Sequence, residues 1–152
     1  MRLALYQPDI PQNVGAAIRA AACFGAGLDI IAPCGFPLDS RKIGRVAMDY
    51  GTLAPPTIHD GWQPFCDAQH PARLILLTTK ASETIWDFSF RRDDILLMGR
   101  ESAGAPDDVH EAVNARLRIP LAPQARSLNI TVAAAVALAE ARRQLGWENS
   151  AR

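Results

Sequence analysis

Residues 116–146 read RLRIPLAPQARSLNITVAAAVALAEARRQLG, and this stretch decides the fold. RLRIPL (116–121) has the length and apolar content of a strand closed by Pro123. A polar loop follows, carrying Arg126, Ser127 and Asn129. From 127 to 146 runs the longest helix in the chain, ending on Arg142, Arg143 and Gly146, as a helix C-terminus should. No charge lies between Arg126 and Glu140, and a helix apolar all round is buried on several sides. Strand, polar loop and buried helix make one unit of an α/β sheet.

The same unit recurs upstream. LALY (3–6) is a short strand, followed by a helix from about Asn13 to Gly25. LDIIAP (28–33) is a second strand, and SRKIGRVAMDY (40–50) a basic helix capped by Asp39 or Ser40. WQPFCDAQ (62–69) suits a short helix. RLILLTT (73–79) and DILLMG (94–99) are apolar runs of strand length, and PDDVHEAVNA (106–115) opens like a helix. Continuous apolar strands alternating with helices predict an open parallel sheet covered on both faces.

A chain of 152 residues with 16 acidic and 16 basic side chains is expected to be one domain without a polyanion-binding tail. Cys23, Cys34 and Cys66 are odd in number and widely spaced, as in a reduced cytoplasmic protein. The run before Pro8 is too short for a signal peptide, and no membrane span is expected. The two helices apolar on nearly all sides, 13–25 and 127–146, exceed what so small a domain can bury, which predicts a homodimer.

Several familiar motifs fail on inspection. FGAGLDI (24–30) inverts the dinucleotide fingerprint, because Gly25 and Gly27 close a helix and open a strand. GRESAG (99–104) is not a nucleophile elbow, since Arg100 stands where its first glycine belongs. His59, His70 and His110 lack ligand spacing, so no metal site is expected.

Three polar clusters remain, each after a predicted strand: Asn13 to Arg19; Gly99, Arg100, Glu101 and Gly104; and Arg126, Ser127 and Asn129. Asn13 and Ser127 also suit helix caps, and Arg19 also suits a charge reaching solvent. In an open α/β sheet such loops line the ligand crevice. Arg41, Lys42 and Arg45 share one short helix, which fits either a phosphate-binding patch or a solvated face.

NVGAAIRAAACFG (13–25), LLMGRESAG (96–104) and IPLAPQARSLNITVAAAVALAE (119–140) resemble the three ordered motifs of the SPOUT superfamily of methyltransferases. With DYG (49–51) and LLTTK (76–80), the compact chain is most similar to bacterial enzymes that 2′-O-methylate the wobble nucleotide of tRNA. The resemblance implies a single domain over 1–152 without an added RNA-binding domain. It further implies a C-terminal deep trefoil knot, S-adenosylmethionine as donor, and a homodimer with active sites near the subunit interface. Carried over, Leu77, Gly99, Ile119, Leu121, Ser127 and Leu128 hold the donor, although the apolar members also suit ordinary core. Arg19, Asn13, Glu101, Ser127 and Asn129 are the catalytic positions, with Glu101 expected to pair with Arg19 or Arg126. Arg41, Lys42, Arg45 and Arg126 would grip RNA. The implied substrate is a wobble cytidine or modified uridine; ribosomal RNA, or a binding module without catalysis, are the alternatives. Arg100 departs from the proline often found before the motif-two glutamate, and Gly51 from a larger residue after Asp-Tyr.

Overall fold

The structure, a computed structural model, describes residues 1–38, 41, 43, 45, 48–53 and 55–147. Seven strands form one sheet: β1 (Arg2–Tyr6), β2 (Gly27–Ile31), β3 (Thr57–His59), β4 (Leu74–Leu77), β5 (Glu83–Thr84), β6 (Ile95–Met98) and β7 (Ala115–Arg118). The order is β3-β2-β1-β6-β4-β7-β5, and every pairing between these strands is parallel. Among the described residues, helices α1 (Pro11–Cys23), α2 (Trp62–Gln69), α3 (Asp107–Ala112) and α4 (Ile130–Leu145) accompany it. The expected open parallel sheet with helices on both faces is what forms.

Strand side chains alternate between two cores. Leu3, Leu5, Leu28, Ile30, Ile75, Leu77, Leu96, Met98 and Leu117 face α1 and α4. Ala4, Tyr6, Ile31, Leu74, Leu76, Ile95 and Leu97 face Phe65 of α2 and Val109 of α3. A strand buried on both sides cannot show a polar alternation, which is why these segments read as unbroken apolar runs.

Helices α1 and α4 lie on the same face and pack on each other. Val14, Ala17, Ile18 and Ala21 of α1 and Ala134, Ala137, Leu138 and Ala141 of α4 are buried. Arg142 of α4 donates from Nε to the Phe24 carbonyl (2.7 Å) and from Nη2 to the Gly25 carbonyl (2.8 Å), satisfying the open end of α1. Much of the apolar surface that predicted a dimer is therefore covered within the chain. Ile10, Leu128 and Val132 remain 41, 39 and 48 % exposed.

Some boundaries differ from expectation. Helix α1 starts at Pro11 with Ile10 as N-cap, so Asn13 is not a cap; proline at the first helical position is the signal that places the start. Ser127 is not a cap either, because Asn129 accepts from the backbone N–H groups of Thr131 (2.9 Å) and Val132 (3.2 Å). Strand β5 is two residues long and carries no periodicity to read. Arg41, Ile43 and Arg45 are helical, whereas Asp39, Ser40 and Lys42 lie outside the described residues. His59, one of the three histidines without ligand spacing, is buried with its Nε2 2.8 Å from Asp29 Oδ1. Arg2 donates from Nε to Asp29 Oδ2 (2.6 Å), so the fully buried Asp29 is compensated on both oxygens. No helix among the described residues is long and apolar enough to cross a membrane.

Candidate active site

The strand register builds the site. Leu5 of β1 lies opposite Met98 of β6, Met98 opposite Leu77 of β4, and Leu77 opposite Leu117 of β7. Four neighbouring strands thus end flush, and their outgoing loops open at one level. The chain runs from β1 outward to β3 on one side, then resumes at β4 beyond β1 on the other. Ligands in open α/β sheets occupy the crevice at such a reversal.

A cleft of about 490 Å³ opens there, within the ordinary size of small-molecule sites, roughly 300–1,000 Å³. All six residues expected to hold a donor line it: Leu77, Gly99, Ile119, Leu121, Ser127 and Leu128. Asn13, Glu101 and Asn129 line it as well. The loops after β4 and β6 add Thr78, Thr79 and Arg100. The two threonines were missed from sequence, although their place just beyond an apolar strand is the signal that finds them.

The polar wall is a hydrogen-bonded chain linking the first turn of α1, the loop after β6 and the N-cap of α4. Asn129 Nδ2 donates to Asn13 Oδ1 (3.1 Å), and Asn13 Nδ2 donates to Glu101 Oε1 (3.1 Å). The Asp9 backbone N–H donates to Glu101 Oε2 (2.9 Å), and Thr131 Oγ1 donates to the Asn13 carbonyl (3.1 Å). Both oxygens of Glu101 are thus engaged by the segment that opens α1. Within this chain the hydrogen-bond partners of Glu101 are Asn13 and the Asp9 backbone, and not the Arg19 or Arg126 expected from the sequence.

Glu101 sits beside Asp9, whose backbone N–H it accepts, and the Ser102 hydroxyl donates to Asp9 Oδ2. The hydrogen bond with Glu101, then that from Ser102, holds Asp9 down at about 2. Burial first, and the Asp9 carboxyl next, push Glu101 above the usual carboxylate range. Neighbouring carboxyls disfavour each other's ionisation, so the two titrate apart, Asp9 first and Glu101 later. Asp9 was not singled out from sequence, since its contact with Glu101 spans 92 positions.

Gly99 has a reason of its own. A Cβ there would sit 2.6 Å from the Ala105 nitrogen and 2.6 Å from the Gly104 carbonyl carbon. The expectation that glycine admits a ligand is therefore incomplete: the chain's own returning turn occupies that space. The turn is closed by Arg100 N–H to the Gly104 carbonyl (3.0 Å) and Gly104 N–H to the Arg100 carbonyl (2.8 Å).

Arg19 stands outside the cleft of its own chain. Its side chain is exposed, and its guanidinium carbon lies 5.1 Å from the Tyr50 ring centroid, within cation–π range. Arg41, Arg45 and Arg126 are exposed, and none of them lines the cleft. Among the described residues no group of three or more His, Cys, Asp or Glu side chains could hold a metal ion.

The arrangement matches known proteins over nearly its full length. The model of the SpoU rRNA Methylase family matches residues 1–139. The chain belongs to this family. A family relative from Beijerinckia indica, tRNA (cytidine(34)-2'-O)-methyltransferase, is 52 % identical over 95 % of this chain and 91 % of its own. A solved structure described as giving insights into the 2-OH methylation of C/U34 on tRNA is 40 % identical, with 95 % of both chains covered and a TM-score of 0.90. The SpoU methyltransferase AviRb from Streptomyces viridochromogenes, solved in complex with the cofactor AdoMet, is 27 % identical with a TM-score of 0.86, covering 95 % of this chain and 60 % of that one.

Proposed function

We propose that this chain transfers a methyl group from S-adenosylmethionine to the ribose 2′-oxygen of the wobble nucleotide of tRNA, cytidine or a modified uridine, in the cytoplasm. The observation that carries the reading is the cleft itself. The six residues carried over for donor binding and four of the five carried over for catalysis, Ser127 belonging to both sets, meet in one cavity at the sheet's point of reversal. The names of the 52 % identical relative and of the 40 % identical structure support the wobble position over ribosomal RNA. Membership of the family brings with it the expectation of a C-terminal trefoil knot.

The residues fit the donor. Leu77, Ile119 and Leu128 supply apolar walls for an adenine ring, while Ser127 and the backbone around Gly99 and Leu121 supply a few placed polar groups. Bound there, S-adenosylmethionine supplies an electrophilic methyl on a sulfonium. The Asn129–Asn13–Glu101 chain fixes the polar wall, so the acceptor ribose meets donors that need no reorganisation. A guanidinium keeps its charge at neutral pH and grips a phosphate through two parallel hydrogen bonds. Arg19 has this role: it holds the phosphate beside the target ribose and stabilises negative charge developing on the 2′-oxygen. A substrate phosphate or water takes the proton.

Arg19 reaches a cleft only if a second copy supplies it. Ile10, Leu128 and Val132, exposed at the openings of α1 and α4, give that copy an apolar face, and the assembly is a homodimer. Arg41, Lys42, Arg45 and Arg126 are assigned to the RNA backbone. Mixing Arg19→Ala chains with Asn129→Ala chains tests the sharing: activity regained in the mixture supports it, and activity absent from every mixing ratio refutes it.

The function is tested by incubating the protein with methyl-labelled donor and total RNA, then mapping the modified nucleoside. Label at a wobble pyrimidine of tRNA supports the reading. Label confined to ribosomal RNA, or none, overturns it.

A further inference from the structure

Arg100 is the only cation among the described residues that line the cleft. Its backbone is pinned at the mouth by the two hydrogen bonds to Gly104, so its Cα cannot drift. The side chain is 36 % exposed, and its Nε faces Asp9 Oδ2 at 3.9 Å. That distance is too long for a hydrogen bond, and the buried Nε has no partner. Asp9 Oδ1 is likewise buried and without a partner.

The pair is therefore only half made. The Ser102 hydroxyl holds Asp9 Oδ2 and Glu101 holds the Asp9 backbone N–H, so the carboxylate cannot swing toward the guanidinium without giving up Ser102. The Coulombic attraction is present, but the directional bond is not. Because Nε is buried, the exposed part of the side chain lies elsewhere on it. A guanidinium offers five donors, and an oxyanion arriving at the mouth meets a cation whose hydrogen-bonding capacity is unspent. The exposed residues Ser102, Ala103 and Gly104 place this lip on the solvent side, away from the apolar walls Leu77, Ile119 and Leu128.

We propose that Arg100 grips a phosphodiester of the RNA at the cleft mouth and so aligns the target nucleotide, with Asp9 as a positioning residue for its guanidinium. The inference rests on the RNA methyl-transfer reading above and adds a contact within the chain's own cleft, distinct from the Arg19 of a second copy. A carboxylate, such as the donor's own, shares the chemistry of the ligand; the lip position favours the phosphodiester.

The test uses the full-length protein with tRNA and S-adenosylmethionine. Arg100→Gln is expected to raise the KM for tRNA about tenfold, with kcat nearly unchanged. The slope of log(kcat/KM) against log salt becomes shallower by about 0.7–0.9, one phosphate contact. Donor affinity measured by calorimetry stays at the wild-type value. Arg100→Lys regains the salt slope but only part of the KM, because a point charge cannot form the bidentate fork. Asp9→Asn raises the KM by less than Arg100→Gln does. Weakened donor binding with an unchanged tRNA KM would overturn the proposal in favour of the donor carboxylate. No change in either would overturn it in favour of a solvated cation. A folded Arg100→Gln with unaltered melting and an unaltered salt slope would also overturn it. Wild-type protein that neither binds nor methylates tRNA would instead remove the underlying function.

Discussion

Replacing Gly99 by alanine tests the geometry that carries Glu101 and Arg100 into the cleft. The added Cβ would lie 2.6 Å from two backbone atoms and 2.9 Å from a third, Gly104 Cα, where ordinary contact begins near 3.4 Å. No flexible side chain can yield, because every obstructing atom is main chain. Relief requires opening the Arg100–Gly104 turn and its two hydrogen bonds of 3.0 and 2.8 Å. Overpacking of this kind, with those bonds weakened, costs about 2–3 kcal/mol. For a domain of this size each kcal/mol lowers the melting temperature by roughly 2–4 °C. Gly104→Ala is the control: nothing lies within 4 Å of its Cβ, and only its φ of +67° opposes the change, a cost of about 1 kcal/mol. Guanidinium unfolding should rank wild type above Gly104→Ala, and Gly104→Ala above Gly99→Ala. Calorimetry should show Gly99→Ala with the weaker donor binding of the two. Gly99→Ala as stable as Gly104→Ala would refute the reasoning.

Other outcomes follow from the same contacts. Asn13→Ala removes partners from both Glu101 and Asn129, at a cost of about 1–3 kcal/mol; turnover at saturating substrates should fall further than melting predicts, which single-turnover assays check. Asn129→Ala should lose about 1 kcal/mol with the α4 cap, whereas Asn129→Asp keeps the cap oxygen but turns a carboxylate oxygen toward Asn13 Oδ1 and so regains only part of that stability; both lose activity. The Asp9–Glu101 pair sets a pH dependence. Stability from the lowered Asp9 is present above the ordinary carboxylate value and lost as pH falls toward about 2; that from the raised Glu101 is present below its ordinary value and lost as pH rises through the raised one. The stability difference between wild type and Asp9→Asn should therefore be largest near pH 4 and shrink toward neutrality in a denaturation series. Asp94, fully buried and bound bidentately by Arg73 at 2.7 Å, lies at the opposite end of the strands. Asp94→Ala should cost about 3–5 kcal/mol yet leave the donor affinity of the folded fraction unchanged.

Where sequence reading succeeded, a local signal existed. Apolar runs bounded by Pro, Gly or charge gave β1, β2, β4, β6 and β7 to within a few residues, and helix α2 at Trp62–Gln69 falls where WQPFCDAQ placed it. The polar loops after strands led to Asn13, Glu101 and Asn129, which do meet in one cleft. What stayed hidden is non-local. Asp29 reaches His59 across 30 positions and Asp9 reaches Glu101 across 92, and no periodicity encodes such pairs. Gly99 was traced to a ligand because the returning Gly104–Ala105 backbone is a tertiary neighbour. Arg19 belongs to a polar cluster and to the carried-over catalytic positions, and its place outside its own cleft follows from the direction of α1, which only the packed fold sets.

The most direct measurement is a crystal structure of the protein with S-adenosylhomocysteine. The account predicts the adenine between Leu77, Ile119 and Leu128, and the guanidinium of Arg19 from a second copy at the cleft's open end, where the acceptor ribose and its phosphate would lie. The ligand bound away from this cleft, or Arg19 remote from it in every copy, would contradict the account.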